Sequence, residues 1–561
     1  MKEYLKNEEF YVKIFKIILF IMPFIIGLFY EFTSYLAGMI LSLYLIYIIF
    51  NKGKLKIFLN YQTVILVLII MSYLGGIFYG IDRGTSFSGF LKFLPSIIFC
   101  IILMQFDEKK KESFFEFIPI SGMHMVCICI TCRLIGILED CFYMNKRLGG
   151  FFQYSNTFAL FLLMGIVVIG YKEKITKKDY INLAILILGI LLTGSRSVFI
   201  FTIISILILM FSNKIIKKKI LIIFLAFIAV SIGIVYLTKS SEGIGRFLTI
   251  SLNSSTFLGR LLYYKDGINL ILKKPFGLGY MGYFYMEPKI QTGVYVTRYI
   301  HNDFLQLALD CGIFMAIILL LSMGITFFSK KTSKLQKHLT LIIFLGGMFD
   351  FNFQFLIIIF ILVMTFDIYN GKELVIDKKS IKVISSVVGI IAFVFLYFTI
   401  AFFMTYINQD ELAVKMFNGN TESKTILLAE APSPEEADRI ADELIKQNNM
   451  SYLAYDAKAL VAAVNKDFEK VVYYKEKNLE IRKYWVSEYE DYVNLLKRAV
   501  EYYDKKDDVV NKEIYIKKIK EIPKMLANQK ENTSKLAFKI NDKPIFELSI
   551  ETQEYINSLE E

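Results

Sequence analysis

The feature that most constrains this chain is a series of long apolar runs that recur from residue 14 to about residue 407. Most of these runs hold roughly 18 residues or more, the length that a helix needs to cross the hydrocarbon core of a bilayer. Hydrophobic residues make up 55% of the sequence, which is above the usual share of a soluble domain. The sequence therefore predicts an all-α polytopic membrane protein. The first run has no small-residue cleavage site after it, so we expect a retained span rather than a signal peptide.

About 12–13 transmembrane helices follow from these runs. The predicted spans are 14–30, 33–50, 63–80, 88–105, 115–137, 155–172, 179–193, 196–213, 219–238, 303–327, 339–350, 353–368 and 381–407. The pair near residue 350 is left open, because the stretch LIIFLGGMFDFNFQFLIIIFILVM also fits one broken helix.

The distribution of lysine orients these spans, because loops rich in lysine stay in the cytoplasm. Lysine is concentrated in every second connection, at 51–56, 107–112, 171–179, 213–219, 329–337 and 370–382. The alternate connections are expected to face outward, and the largest of them is the extracytoplasmic loop 239–302. The chain after Tyr406 is then outside as well, but a single span near residue 350 would reverse that assignment.

The C-terminal segment 408–561 has a different composition, rich in charged residues and tyrosine. The stretch SPEEADRIADELIKQ begins with Ser433 at the N-cap and Pro434 at the first helical position, and Glu436 follows three residues after the cap. Further amphipathic helical patterns follow, although no clean 34-residue period is present. We therefore predict two domains, a membrane domain 1–407 and a soluble, tetratricopeptide-like array of helical hairpins 408–561.

Cysteine usage and charge exclude several functions. All six cysteines lie in or beside the predicted spans, and Cys129 and Cys132 form one C-x-x-C pair without a second pair. Structural cysteines, and no metal site, are the expectation. In a membrane protein, the net charge of +12 is expected to serve cytoplasmic anchoring and the binding of anionic ligands, not nucleic acid.

Arginine is distributed differently from lysine. All seven arginines before residue 408 fall in predicted outward connections or at the outward ends of spans: Arg83, Arg133, Arg147, Arg196, Arg246, Arg260 and Arg298. The positive-inside tendency predicts the opposite, and the planar guanidinium group fits phosphate oxygens. The pattern favours an anionic, phosphorylated substrate at the outer membrane surface. Attraction to anionic lipid headgroups is the alternative.

Four motifs carry candidate site residues. In LLTGSRSVFIF, Gly194 permits a tight turn and Arg196 stands at the start of the next helix, a place that favours anions. In KRLGGFFQYSN, Asn156 either caps the following helix or contacts ligand. The stretch 256–283 reads as an amphipathic helix with its apolar side in the interface and with Arg260 and Lys265 directed toward headgroups or ligand.

The fourth motif, RYIHNDFLQLALDCGIF, contains the one histidine that the span count places outside. Asn302 or Asp303 is expected to cap the helix that follows, so His301 lies just before its first turn. A histidine with a near-neutral pKa is suited to remove a proton from an attacking hydroxyl. A purely structural role is the alternative.

Together, the stretches LTGSRSVFI, GRLLYYKDGINLILKKPFGLGYMGY, YIHNDFLQLALDCGIF and GMFDFNFQFLIIIF resemble the O-antigen ligase/O-antigen polymerase superfamily of bacterial cell envelopes. RLGGFFQYSNTFALFL is similar to the upstream loop of that family, with Ser155 where the family often has proline. The resemblance covers about residues 60–370, and the segment beginning at His301 is its most specific part.

The resemblance implies a multi-pass glycosyltransferase of the bacterial cytoplasmic membrane, with its active site on the extracytoplasmic face. The donor would be a glycan on undecaprenyl pyrophosphate, and the acceptor a sugar hydroxyl on a lipid- or wall-linked glycan. The reaction would invert the anomeric centre and need no metal or cofactor. Arg196 and Arg260 would hold the leaving pyrophosphate, and His301 would act as base. Substrate-binding residues would be Arg298, Arg147, Lys265, Asp350 and Asn352.

Two functional alternatives remain at this point. A lipid-linked oligosaccharide flippase or exporter also needs cations for pyrophosphate, but in a cavity open to both faces. The segment 408–561 alone is a weaker candidate for the active part, and we expect it to bind protein partners or to guide the glycan. Within the family, the sequence does not separate ligases, which transfer a whole polymer, from polymerases, which join repeat units.

Overall fold

The computed structural model describes residues 2–212, 225, 229 and 254–559. Its helices before residue 408 are Lys2–Ile21 (α1), Glu31–Lys52 (α2), Tyr61–Tyr79 (α3), Arg83–Phe93 (α4), Pro95–Leu103 (α5), Glu108–Phe114 (α6), Phe117–Ile135 (α7), Glu139–Phe142 (α8), Ser155–Gly170 (α9), Lys177–Thr193 (α10), Arg196–Ser212 (α11), Ser255–Lys273 (α12), Gly282–Ile290 (α13), Asp303–Cys311 (α14), Ile313–Phe328 (α15), Lys334–Phe349 (α16), Leu356–Thr365 (α17) and Lys378–Tyr406 (α18). Four short strands are β1 (Leu55–Leu59), β2 (Tyr143–Met144), β3 (Arg147–Leu148) and β4 (Lys372–Ile376).

Several of these helices fit a multi-pass membrane protein. Within the described ranges, five are long and apolar enough to cross a membrane: Glu31–Lys52, Tyr61–Tyr79, Arg83–Leu103, Glu108–Ile135 and Ser380–Tyr406. Four shorter apolar helices accompany them: Ser155–Gly170, Arg196–Phe211, Ile313–Phe328 and Leu356–Thr365. The mostly helical, apolar architecture confirms the broad fold class. The total of 12–13 spans stays a prediction, and the predicted span 219–238 lies almost entirely outside the described residues.

Lysine-rich connections of the described residues meet at one end of the helices, which we call the lysine end (residues 52–60, 104–111, 329–337 and 366–376), while the connection 213–219 lies outside the described residues. Here β1 pairs antiparallel with β4, with Leu55 opposite Ile376. The Lys56 ammonium lies 3.0 Å from a Glu373 carboxylate oxygen, and the buried Lys111 ammonium donates to the carbonyl of Phe366 at 2.6 Å. These contacts join connections that are far apart in sequence.

The opposite end contains every described arginine of residues 1–407, and we call it the arginine end (Arg83, Arg133, Arg147, Arg196, Arg260 and Arg298). Helices such as α2, α9 and α18 run between the two ends. Packing between α2 and α18 is close, since a Cβ added at Gly38 would approach the Phe395 ring at 2.8 Å. The lysine-rich connections and the arginines, which are separate in the sequence, are thus separate in space as well.

The segment near residue 350 consists of two helices. The Gln336 amide near the start of α16 lies 3.5 Å from the carbonyl of Met364 near the end of α17, so the two helices lie side by side. The turn 350–355 between them lies at the arginine end. One broken span in this segment is excluded by that contact, because a continuous helix would separate its two ends.

Two predicted spans have different boundaries in the structure. The predicted span 303–327 is divided at Gly312, whose φ of 96° separates the short buried helix α14 from α15. The Ile313 N–H, freed by this break, donates to the carbonyl of Pro275 at 3.0 Å. The first helix α1 ends at Ile21, and two 3-10 turns follow within residues 22–28. The predicted span 14–30 is therefore not one continuous helix.

In the described residues after 408, seven helices pack one after another: Asp410–Met416 (α19), Thr421–Ala429 (α20), Pro434–Gln447 (α21), Tyr452–Val464 (α22), Phe468–Ile481 (α23), Val486–Asp504 (α24) and Val509–Glu531 (α25). An eighth helix, Ile550–Ser558 (α26), contacts α24, where the Lys497 ammonium lies 4.7 Å from the centre of the Tyr555 ring. As predicted, Ser433 caps α21 by accepting from the Glu436 N–H at 3.3 Å. The assignment to the tetratricopeptide class and the domain boundary at 407/408 stay predictions.

This C-terminal segment packs on the arginine end. Asp82 caps α4 and is buried, and its carboxylate also accepts hydrogen bonds from Thr421 at 2.5 Å and Gln447 at 3.2 Å. The Ser534 N–H donates to the carbonyl of Thr292 at 2.9 Å. The C-terminal segment and the candidate site therefore lie at the same end of the helices.

Candidate functional site

The turn before α14 and the turn after α16 are joined by hydrogen bonds. Asn302 caps α14, because its side-chain oxygen accepts from the Phe304 N–H at 3.0 Å. The Asn302 amide nitrogen donates to the carbonyl of Met348 at 3.0 Å, and the Asp303 carboxylate accepts from the Phe353 N–H at 2.8 Å. The predicted cap at Asn302 is confirmed, and it fixes residues 301–303 against 348–353.

His301 is held by Asp350 across this joint. The His301 Nδ1 atom lies 3.0 Å from a carboxylate oxygen of Asp350, and the two side chains are 24% and 6% exposed. A carboxylate accepts hydrogen bonds, so the pair favours the tautomer with the proton on Nδ1. This leaves Nε2 as the free basic nitrogen of the more exposed partner. A carboxylate that orients a histidine is the arrangement that general-base catalysis needs.

Asp350 has further donors that keep it ionised. Tyr154 donates a hydrogen bond to it at 2.8 Å, and the Asn156 amide donates one at 2.7 Å. Burial by itself raises the pKa of Asp350, but the charge and hydrogen bond of His301, the charge of Arg260 and the Tyr154 hydroxyl together lower this pKa to about 2. The carboxylate is therefore charged throughout the physiological range.

Arg147 connects this group to the turn that precedes Arg196. Its position is set by β3, which pairs with β2 in a small hairpin. The guanidinium donates to the carbonyl of Thr193 at 2.8 Å and to the Asn156 side-chain oxygen at 2.8 Å. Gly194 takes the left-handed conformation, with φ of 59°, and Arg196 opens α11 two residues later. Three residues span at most about 11 Å, so the backbone at Arg196 lies near Arg147.

Arg260 reaches the same place from α12. Its guanidinium donates to the carbonyl of Phe349 at 2.8 Å, next to Asp350. On the same side of α12, the Tyr264 hydroxyl donates to the carbonyl of His301, and the Tyr263 ring lies 5.9 Å from the imidazole ring. The structure thus brings Arg147, Arg260, His301 and Asp350 together from four separate segments.

Lys265 lies apart from this cluster. It is exposed and shares a face of α12 with Leu261, Ile268 and Leu272, which are also exposed. The predicted amphipathic helix is present, but its faces differ from the expectation. Arg260 lies on the packed side of α12, and Lys265 lies on the exposed apolar side.

Arg298 and Asn352 also differ from the other predicted residues in their surroundings. The Arg298 guanidinium faces the C-terminal segment, 3.8 Å from a Glu422 carboxylate oxygen. Asn352 is 2% exposed, and its side-chain oxygen accepts from the Thr157 hydroxyl at 2.8 Å. Asn352 therefore supports the turn 350–355 from a buried position, and its predicted contact with substrate stays a prediction.

Three contributors were missed or undervalued by the sequence. Asn156 does not cap α9, since Tyr154 occupies that position without a side-chain cap bond. Asn156 instead links Arg147 to Asp350. Tyr154 and Tyr264 gave no signal of their own, although Tyr264 stands four residues after Arg260 in a helix, a spacing that places two side chains on one face.

The arrangement offers a base and several cations at one surface. In the described ranges, no three His, Cys, Asp or Glu side chains are grouped so that they would hold a metal ion. The positive charge comes from arginine, whose fork-shaped guanidinium group pairs with phosphate oxygens. An oriented histidine beside such cations is suited to attack by a hydroxyl on a carbon that carries a phosphate leaving group.

The chain matches a known protein family over part of its length. Residues 181–320 match a family model described as O-antigen ligase, and this range contains Arg196, Arg260, Arg298 and His301. No curated protein matches the chain. The family match confirms the resemblance to the O-antigen ligase superfamily that was drawn from the motifs, over residues 181–320.

Proposed function

We propose that the protein is an inverting glycosyltransferase that joins a glycan from undecaprenyl pyrophosphate to a sugar hydroxyl of an acceptor glycan. The family match supports glycan transfer by a ligase- or polymerase-type membrane enzyme. The observation that carries the mechanism is the hydrogen bond between His301 Nδ1 and the ionised, buried Asp350 at the arginine end.

In the proposed step, His301 Nε2 removes the proton of the acceptor hydroxyl. The hydroxyl oxygen then forms a bond to the anomeric carbon of the donor sugar. The bond between that carbon and the pyrophosphate oxygen breaks, and the electron pair leaves with undecaprenyl pyrophosphate. Attack opposite the leaving group inverts the anomeric centre, and the imidazolium later gives its proton to water.

The arginines have the complementary part in this proposal. Arg260 and Arg196, with Arg147 beside them, hold the pyrophosphate and stabilise the negative charge that grows on it as it leaves. The transfer is proposed to be metal-independent, because guanidinium groups supply the positive charge that the leaving group needs. Asp350 keeps the imidazole oriented and stabilises the imidazolium that forms. Lys265 stays a proposed contact of the donor near the membrane surface.

The proposed site of action is the extracytoplasmic face of the bacterial cytoplasmic membrane. This assignment is supported by the lysine end, which has the composition of cytoplasmic connections, while the candidate site lies at the opposite end. The same reasoning places the segment 408–561 outside. A lipid-linked glycan and a lipid- or wall-linked acceptor are the proposed partners, and protein partners of 408–561 are a further proposal.

The test is transfer by the purified protein in lipid nanodiscs, given defined undecaprenyl-pyrophosphate-linked oligosaccharides as donor and acceptor. We expect a glycosidic product, seen as a ladder for a polymerase and as a single transfer for a ligase. His301→Gln is expected to remove the product. His124→Gln is the matched control, because His124 is an exposed residue of α7 that bonds to the carbonyl of Ile120 at 2.8 Å in its own helix.

A flippase gives a different result. Protein in sealed vesicles would then move labelled lipid-linked glycan across the bilayer without lengthening it, and His301→Gln would leave the glycan length unchanged. Translocation without any glycosidic product would refute the transferase proposal.

A further inference from the structure

An open cavity of about 300 Å³ lies between the membrane domain and the C-terminal segment. Glu31, Tyr280 and Arg298 line it from the membrane domain, and Glu422 and Thr425 line it from α20. Its volume is at the lower end of the range for small-molecule sites. The cavity has walls from both parts of the chain, so it exists only when the C-terminal segment is docked.

The charged residues at the cavity are two carboxylates and one arginine in the walls, with Lys92 buried behind Glu31. The Glu31 carboxylate lies 3.7 Å from the buried Lys92 ammonium, and it also accepts a hydrogen bond from the Tyr280 hydroxyl at 2.8 Å. Arg298 is matched in the same way by Glu422, at 3.8 Å. Two carboxylates against two cations leave no net attraction for phosphate, unlike the group around His301. A ligand with hydroxyl groups suits these walls, because a hydroxyl both donates to carboxylates and accepts from guanidinium.

Aromatic side chains form the apolar part of the cavity. Phe284 and Tyr285 from α13 and Phe402 from α18 line it, and Phe284 is 36% exposed. A pocket with apolar and aromatic walls and a few converging polar groups is the usual form of a small-molecule site. A sugar ring has both kinds of surface, with C–H faces for the aromatic rings and hydroxyl edges for the charged groups.

Two aromatic rings, Tyr299 and Phe351, lie between Tyr280 at the cavity wall and His301. The Tyr280 hydroxyl lies 3.2 Å from the Tyr299 hydroxyl, and the Tyr299 ring lies 5.3 Å from the ring of Phe351. Phe351 in turn lies 5.1 Å from the imidazole ring of His301. Along the chain, Arg298 precedes His301 by three residues, a span of at most about 11 Å. The cavity and His301 are therefore close enough in space for two sugars of one glycan to reach both.

We propose that this cavity binds an uncharged sugar of the acceptor glycan and that the C-terminal segment supplies one wall of that subsite. That the sugar belongs to the acceptor rests on the proposed function, whereas the binding of a neutral sugar does not. Arg298 acts here as a sugar contact, separate from the pyrophosphate-binding arginines.

The experiment measures binding of free oligosaccharides to the full chain in nanodiscs by saturation-transfer NMR. The probe is the set of oligosaccharides released by mild acid hydrolysis from the lipid-linked glycans of the source cells. Thr425→Trp fills the cavity and is expected to weaken binding at least tenfold. Glu422→Gln keeps the shape and is expected to weaken it several-fold. Val464→Trp is the matched control, since Val464 is 62% exposed on α22 and lies outside the cavity.

The outcomes separate the two proposals. Wild-type binding that survives added inorganic pyrophosphate and is lost in Thr425→Trp supports the sugar subsite. No binding to the wild type, equal binding by Thr425→Trp, or displacement by pyrophosphate overturns it. In the transfer assay, Thr425→Trp is expected to raise the acceptor KM at least tenfold with the donor KM unchanged. Sugar binding without any transfer would refute the transferase proposal and leave the subsite in place.

Discussion

Asp350→Asn is the substitution that the geometry of the site makes most informative. In one amide orientation, the new NH2 group opposes the Asn156 amide donor, which Arg147 holds in place from the other side. In the other orientation, the NH2 group opposes His301 Nδ1 and the Tyr154 hydroxyl. Neither orientation satisfies all of these donors, and both remove the negative charge that stabilises the imidazolium.

The expected loss follows from the bond to His301. A hydrogen bond to a charged group contributes about 1.5–3 kcal/mol. At about 1.36 kcal/mol for each tenfold change in rate, its loss lowers kcat by about 10- to 150-fold. The amide orientation that places the NH2 group against His301 favours the wrong imidazole tautomer, and for it the loss in kcat is expected to reach or exceed the upper end of this range.

The assay is the transfer rate at saturating donor and acceptor, with the donor KM and the thermal unfolding temperature measured on the same preparations. Asp367→Asn is the matched control, because Asp367 is a half-buried aspartate at the lysine end. The donor KM is expected to stay within about threefold, since Asp350 lies beside the base and carries no positive charge. A kcat for Asp350→Asn within twofold of the wild type would show that Asp350 does not orient a base, and the reasoning would fail.

Three further predictions concern Arg260, the break at Gly312 and the charge of Asp350. Arg260→Lys keeps the charge but loses the planar fork, so kcat in the transfer assay is expected to fall by about tenfold or more. An unchanged or higher kcat would contradict a role of Arg260 at the leaving group. Gly312→Ala places a Cβ 2.8 Å from the carbonyl of Pro275 at a φ of 96°, so the free energy of unfolding is expected to fall by about 1–3 kcal/mol. Gly324→Ala is the control, because a Cβ added there meets nothing within 4 Å. Because the pKa of Asp350 is lowered, its carboxylate stabilises the fold fully above the ordinary aspartate pKa near 4, and this stability is lost as pH falls toward 2. The difference in unfolding temperature between wild type and Asp350→Asn should therefore shrink between about pH 4 and pH 2. A constant difference would contradict this assignment.

The features of the fold that depend on local composition were predictable from the sequence. Apolar runs identified most helices, and lysine-rich connections proved to share one end of the structure. The break at Gly312 was missed because the run around it is apolar on both sides and contains no proline. What divides it is a contact between Ile313 and Pro275, which no sequence pattern reveals.

The sequence singled out Arg147, Arg260, His301 and Asp350 but not the contacts between them. His301 and Asp350 are separated by 48 intervening residues, so only the packing of α14 against α16 shows that one orients the other. Asn156 was indistinguishable from a helix cap, because asparagine near a helix start normally caps it. Arg298 was grouped with the arginines that are expected to bind phosphate, because the docking of Glu422 beside it depends on tertiary structure alone.

The central claim is that His301 removes the proton of the acceptor hydroxyl, and single-turnover kinetics test it most directly. Enzyme loaded with undecaprenyl-linked donor is mixed with excess acceptor, and the rate of glycosidic bond formation is followed. For His301→Gln, the rate is expected to fall by about 10²- to 10⁴-fold, while donor binding by this variant and the transfer rate of His124→Gln match the wild type. Transfer by His301→Gln at the wild-type rate would contradict the account.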